Sequence, residues 1–207
     1  MTDKHGTLNV TGTGNVQVSP DEAVIDLGVV TESKTAAEAT ANNARATQGV
    51  IDAVTSQPNH GVTTTGASVS PIFSYDQSTG VNTIVGFRAM NGVEVKTKIG
   101  YAGQIYDVGI AAGATQSSGI SFRIQNEAPY REEALRLAVE VAHREAKLVA
   151  KAAHLELMGV ESLQIESGGG RFLYRAEAID LRAPTTPVIP SEKTICATVQ
   201  FVFRTRP

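Results

Sequence analysis

The stretch EAPYREEALRLAVEVAHREAKLVAKAAHLELM, Glu127–Met158, reads as one long amphipathic helix and decides what the rest of the chain must supply. At 100° per residue, Leu135, Ala138, Ala142, Ala146, Val149, Ala153 and Leu157 share one narrow face made largely of small side chains. Such a face lets a helix lie close on a sheet, so the stretch predicts a sheet in the same chain. Asn126 is the expected N-cap and Gly159 the expected stop. Glu133, Arg136, Glu140, His143, Lys147, Lys151 and His154 form a solvated face, while Leu137, Val141, Leu148 and Leu155 make a second apolar stripe. The expected partner of that stripe is a second copy of the chain; the alternative is coverage by the chain's own segment 172–181.

Working outward, strand signals dominate. Ala23, Ile25, Leu27, Val29 and Thr31 alternate with Glu22, Val24, Asp26, Gly28 and Val30, and residues 8–18 read as a glycine-interrupted strand. Thr35 and Glu38 have capping-box spacing and predict a helix to about residue 56, with Ala36, Ala39, Asn43, Ala46, Val50 and Val54 inward. Residues 62–75 and 82–99 read as a hairpin around Asp76–Gly80, with Val85, Phe87, Ala89, Val93 and Val95 on one face. A short helix around Tyr101–Ala112 and strands at 120–124, 160–167 and 194–203 complete the reading. The order of elements predicts an α+β fold: mixed, largely antiparallel sheet covered by one long and two shorter helices, with no domain linker.

Apolar residues at 42% and charged residues at 19% are ordinary for a packed domain. A net charge of −3, with Lys and Arg dispersed, offers no basic field for a phosphate backbone, so no nucleic acid partner is expected. No apolar run approaches the about 18 residues of a membrane span. The first six residues, MTDKHG, carry no apolar signal region. The expectation is therefore either a cytoplasmic protein or an exported one whose signal preceded residue 1.

Four motifs, taken in order, carry a family resemblance: Gly12-Thr13-Gly14 before Ser19-Pro20-Asp21; Gly86-Phe87-Arg88-Ala89 leading to Val93-Glu94-Val95; the alanine-rich helix from Arg131 to Ala153; and Pro187-Val188-Ile189-Pro190 before Ala197-Thr198-Val199. Over nearly the whole chain this layout resembles the SIMPL domain family, also called DUF541. The chain departs from it at Ser191, where a glycine is expected, and between Gly168 and Ala183, which follow no family pattern. The resemblance implies a single domain over 1–207, with an irregular loop at about 168–190. It also implies a bacterial envelope or periplasmic location, ring- or channel-like homo-oligomers, and a connection with tolerance of oxidative stress. No catalytic residues come with it.

The chemistry-bearing residues agree with that. His143 and His154 are eleven positions apart, roughly 16 Å along a helix, too far to share a metal. His60 falls in a turn with no visible nucleophile. Gly12 and Gly14 lack the third glycine of a dinucleotide fingerprint, and Gly168–Gly170 lack the Lys-Ser/Thr of a phosphate loop; turns are expected at both. Cys196 has no companion cysteine and is expected to be a buried structural thiol, with a redox sensor as the alternative. Arg171, Arg175 and Arg182, with Phe172 and Tyr174, make a recognition loop of hot-spot residue types, against the blander reading of a solvated loop. No cofactor, metal or catalytic set is expected. The function expected is a non-enzymatic, self-assembling protein; the alternative is a periplasmic-type module that binds a small molecule or peptide, and an unrecognised hydrolase stands third.

Overall fold

The computed structural model describes residues 6–78, 80–166, the backbone of 171–176, and 185–207. Along the chain run β1 (Gly6–Val18), β2 (Glu22–Ser33), α1 (Ala36–Thr55), β3 (Gly61–Asp76), β4 (Val81–Thr97), a 3-10 turn at Ile99–Tyr101, α2 (Ala102–Ala111), β5 (Gln116–Arg123), α3 (Ala128–Ala152), β6 (Glu156–Glu166), β7 (Arg171–Ala176) and β8 (Ser191–Arg206). These form an α+β fold with two antiparallel sheets, as the order of elements predicts. They divide into two compact units, each with its own sheet.

The first unit takes residues 6–20, 124–166, 171–176 and 191–207 of the described chain. In its sheet β8 is central: β1 runs along one edge, and β6 and β7 share the other. Strand alternation puts Val10, Ile195, Ala197, Val199, Phe201 and Phe203 on one buried face. α3 covers it with Ala134, Ala138, Ala142, Ala146 and Ala150. This strict i, i+4 row differs from the stripe expected at 100° per residue, in which Val149 and Ala153 also faced inward; Leu157 does pack against this core, but from β6. An i±4 row is inclined to the helix axis and follows the sheet's twist, which leaves Val149 outside.

Gly12 and Gly14 are not turn residues. They lie mid-strand, opposite Val199 and Ala197, where α3 crosses β1. A Cβ at either would be driven into the carbonyl oxygens of Ala138 and Ala134, so backbone meets backbone and only glycine fits. α3 also ends earlier than its pattern predicts. His154 takes φ 55, Leu155 N–H donates to Ala150 C=O at 2.8 Å, and His154 N–H to Lys151 C=O at 3.3 Å. That pair of bonds is a Schellman cap, with histidine in the left-handed position usually given to glycine. Gly159, the expected stop, instead lies at a register shift in β6, at φ 144.

The second unit takes the described residues of 21–123 together with 185–190. Its strand order is β3-β4-β2-β5. Ile25, Leu27 and Val29 pack with Val93, Val95, Val50, Val54 and Ile105 in a continuous core. Fully burying each such side chain contributes about 1.5–3 kcal/mol. Thr35 caps α1 by accepting from Glu38 N–H at 3.3 Å, as its spacing predicts. The inward row is Ala39, Asn43, Thr47, Val50 and Val54. Asn43, buried in mid-helix, donates from Nδ2 to Val29 C=O at 2.8 Å and Ala89 C=O at 3.1 Å, tying α1 to two strands. Val85, expected on the buried face of β4, is exposed. Ile72 pairs with Gly86 and Phe73 with Ile84, so Val85 is an extra residue that breaks the period of two.

The region expected as an irregular loop at 168–190 contains β7, whose Arg171 and Phe172 pair with Thr194 and Lys193. β8 runs on past the residues that β6 occupies, and main-chain pairing there needs no apolar alternation. Farther on, Thr186 donates its N–H to Asp107 Oδ2 at 2.9 Å and its hydroxyl to Oδ1 at 2.5 Å, while Val188 packs against the second unit's core.

Candidate functional site

The four residues of the expected self-interface do not form one stripe. Leu137 and Val141 are half-buried, and a Cβ at Gly14 would meet Leu137 Cβ, which places Leu137 against β1. Leu148 is 67% exposed. Leu155 is off the helix, beyond the cap at His154. Of the expected recognition loop, Arg171, Phe172, Tyr174 and Arg175 lie on β7, where only the backbone is described; Arg182 lies outside the described residues.

Exposed apolar surface concentrates on strands instead. On β6, Leu163 and Ile165 pair directly with the buried Phe201 and Val199, yet are themselves 50% and 56% exposed. α3 lies over β1 and β8 and leaves this edge of the face bare. Met158 and Val160 extend the same exposed strand. His143, expected on the solvated face, packs its ring centroid 5.0 Å from that of Phe201 and 5.4 Å from that of Phe203. On the outer face of α3, Arg136 bonds both Glu133 and Glu140; its hydrogen bond holds the Glu133 carboxyl below the usual carboxylate range.

In the second unit the β3–β4 hairpin outruns its sheet. β2 ends at Ser33 opposite Phe87, so residues 72–76 and 81–86 pair only with each other and form a two-stranded arm. Phe73 and Tyr75 on it are 58% and 61% exposed, and Val81, Ile84 and Val85 are also exposed. An isolated two-stranded ribbon is marginal in water, and one bearing two bare aromatics is more so.

The same sheet carries a cleft of about 420 Å³ lined by Asp26, Gly28, Thr65, Met90, Gly92 and Gln116, with Ser117 and Ser118 at one end. Its floor follows from register: Gly28 pairs with Gly92 and Gly92 with Gly66, so one row across three strands carries no side chain. Bulges on both sides, at Asp26/Leu27 and Thr64/Gly66, deepen it. The Asp26 carboxylate makes no hydrogen bond or ion pair among the described residues, and Asp26 stands opposite Glu94, which pairs with Lys96 at 3.4 Å.

A third feature was invisible as a constellation in the sequence. Glu22, at the start of β2, is buried; it binds Arg123, its cross-strand partner, through one oxygen, and His60 Nδ1 at 3.1 Å through the other. Pro58, His60, Thr97, Lys98 and Tyr101 line a cleft of about 220 Å³ beside it. A carboxylate that orients an imidazole is half of a general-base arrangement. The Thr97 Oγ1 hydroxyl, which lines the same cleft, is already committed to Pro58 C=O at 2.8 Å. The trio joins the ends of three strands and acts as a lock for the sheet.

Near α1, Asn91 Oδ1 is buried without a hydrogen-bond partner among the described residues, in a cleft shared with Asn43 and Thr40. An orphaned acceptor costs free energy, and valine favours strands. Asn91→Val is therefore expected to raise stability by about 1 kcal/mol in urea denaturation; a loss of that size would show that the amide is satisfied in solution. Cys196, expected to be buried, is half-buried on the β8 face away from α3, opposite Asn15.

The model of the SIMPL family, described as "Protein of unknown function (DUF541)", matches residues 8–203, which takes in both units. The chain is 30% identical over 163 residues to the "26 kDa periplasmic immunogenic protein" of Brucella melitensis biotype 1, and equally to that of Brucella abortus strain S19. Each match covers 76% of this chain and 65% of the relative's length. The chain therefore belongs to the SIMPL (DUF541) family.

Proposed function

We propose that this protein is a non-enzymatic, envelope-associated protein that works as a homo-oligomer. The observation that carries the reading is the bare apolar edge of the first sheet, where Leu163 and Ile165 stand exposed beside buried partners on β8. An open edge strand with apolar side chains is a liability that proteins blunt with charge, proline or cover. β6 carries Glu156, Glu161 and Glu166, but Leu163 and Ile165 lie in the uncharged run between the last two, and this segment is the part open to cover by another chain. No helix among the described residues is long and apolar enough to cross a membrane, and the periplasmic name of the Brucella relatives supports the envelope location. The connection with oxidative stress stays an implication of the family; Cys196, half-buried, is the thiol through which it would be probed.

The test is Leu163→Glu with Ile165→Glu, read by light scattering and far-UV circular dichroism. Both side chains are exposed, so the fold is expected to persist while the mass falls to a smaller assembly. An unchanged mass with unchanged dichroism would remove β6 from the interface.

A further inference from the structure

We infer that the C-terminal third of α3 is a contact surface for an anionic phospholipid bilayer, with Leu148 inserted among the acyl chains and Arg144, Lys147 and Lys151 seated on the phosphates. A single chain carries the whole patch, so the inference goes beyond the self-assembly proposed above and does not rest on it.

The sequence places the four residues together. At 100° per residue Arg144, Lys147, Leu148 and Lys151 share an arc of about 100°, on the side of the helix away from the buried row Ala142, Ala146 and Ala150. All four are exposed, and Leu148, at 67%, is the barest large apolar side chain among the described residues. Val149, also exposed, extends the apolar part down one flank. From residue 144 to residue 154 the single acidic side chain is Glu145, on that same flank.

The contrast within one helix points to a partner. Arg136, two turns earlier, bonds both Glu133 and Glu140, so the charges there are matched on the helix itself. Arg144, Lys147 and Lys151 form no ion pair among the described residues. They stand three and four positions apart, the spacings at which like charges on a helix repel. The helix dipole favours a cation in the last turn, which accounts for Lys151. It falls off before Lys147 and Arg144. A bare leucine among repelling cations gains nothing from the chain's own fold. A surface that is negative outside and apolar beneath stabilises both at once.

The shape of the patch selects a bilayer over a folded protein. A few side chains on a convex helix crest present much less than the area that a specific protein interface buries, whereas lipid deforms around them. The long Lys and Arg stems lie along the apolar boundary while their heads reach the phosphates. With three cations and one leucine the contact is peripheral and reversible, and an assembly that repeats the patch holds more firmly.

The chain has no tryptophan, so Leu148→Trp puts a single reporter at the centre of the patch. The probe is vesicles of phosphatidylglycerol and phosphatidylcholine in equal parts, with phosphatidylcholine alone for comparison. The emission of this variant is expected to shift to the blue with the mixed vesicles only, at about 50 mM salt, and to return at about 0.5 M. Thr13→Trp is the control: Thr13 is exposed on the face of β1 away from α3, and its replacement is expected to give no shift. In co-sedimentation with the mixed vesicles, Lys147→Glu with Lys151→Glu is expected to lower the ratio of bound to free protein at least about tenfold, and Leu148→Ser about fivefold, with unchanged dichroism. No emission shift at position 148, an equal shift at position 13, equal binding to the neutral vesicles, or binding that the charge and leucine variants leave intact would each overturn the inference.

Discussion

Gly14→Val is expected to unfold the first unit or to destabilise it by at least about 3 kcal/mol. The cause is not the conformation of the glycine, which is ordinary extended strand, but the space above it. The Ala134 carbonyl and the Ala138 amide occupy the position that a Cβ would need, and Leu137 closes the side. Backbone cannot rotate away as a side chain can, so α3 would have to lift from β1 and open the contacts of Ala138, Ala142 and Ala146 with Val10, Val199 and Phe201. Gly12→Val is expected to behave alike against Ala138 and Ala142. Gly66→Ala is the control: a Cβ there meets nothing within 4 Å, and near-neutral stability is expected. The measurement is thermal and urea denaturation followed at 222 nm. Wild-type stability in Gly14→Val would mean that helix and strand are not in backbone contact.

Glu22→Gln is expected to cost about 2–3 kcal/mol. The Glu22 side chain is only 4% exposed and engages Arg123 and His60 through separate oxygens. Removing one member of a buried ion pair costs most when the abandoned charge stays buried. Arg123 is 43% exposed and can rehydrate, which holds the loss below the upper end of that range. Because the trio joins the starts of β2 and β3 to the end of β5, the loss should be read also as faster amide exchange at those three ends. A neutral Gln exchange would show that the carboxylate's charge contributes nothing there.

Much of the fold was legible because it is written in local period. The capped start of α1, the alternation in β2 and β8, the Asp76–Gly80 hairpin and the small-residue face of α3 each follow from residues within a few positions of one another. What was not legible depends on partners far along the chain. Gly12 and Gly14 read as turns because nothing nearby says that α3, more than 110 positions on, presses its backbone there. The bulge at Val85 is set by pairing with β3, so the period of two gave the wrong face beyond it. His154 carries a helix cap that composition assigns to Gly159, and β7 forms by main-chain pairing that leaves no side-chain pattern. The second apolar stripe broke up for the same reason: Leu155 was placed by extending a helix that stops at Ala152. The Glu22, His60 and Arg123 trio joins residues 38 and 101 positions apart, and the only local sign of it is a glutamate ahead of the apolar run Ala23–Ile25.

Self-assembly is the central proposal for this chain. The most direct measurement is the absolute mass of the wild-type protein by light scattering across a concentration series from about 1 to 100 µM. A self-assembling chain gives a discrete multiple of the chain mass that persists on dilution. A single-chain mass at every concentration would contradict self-assembly.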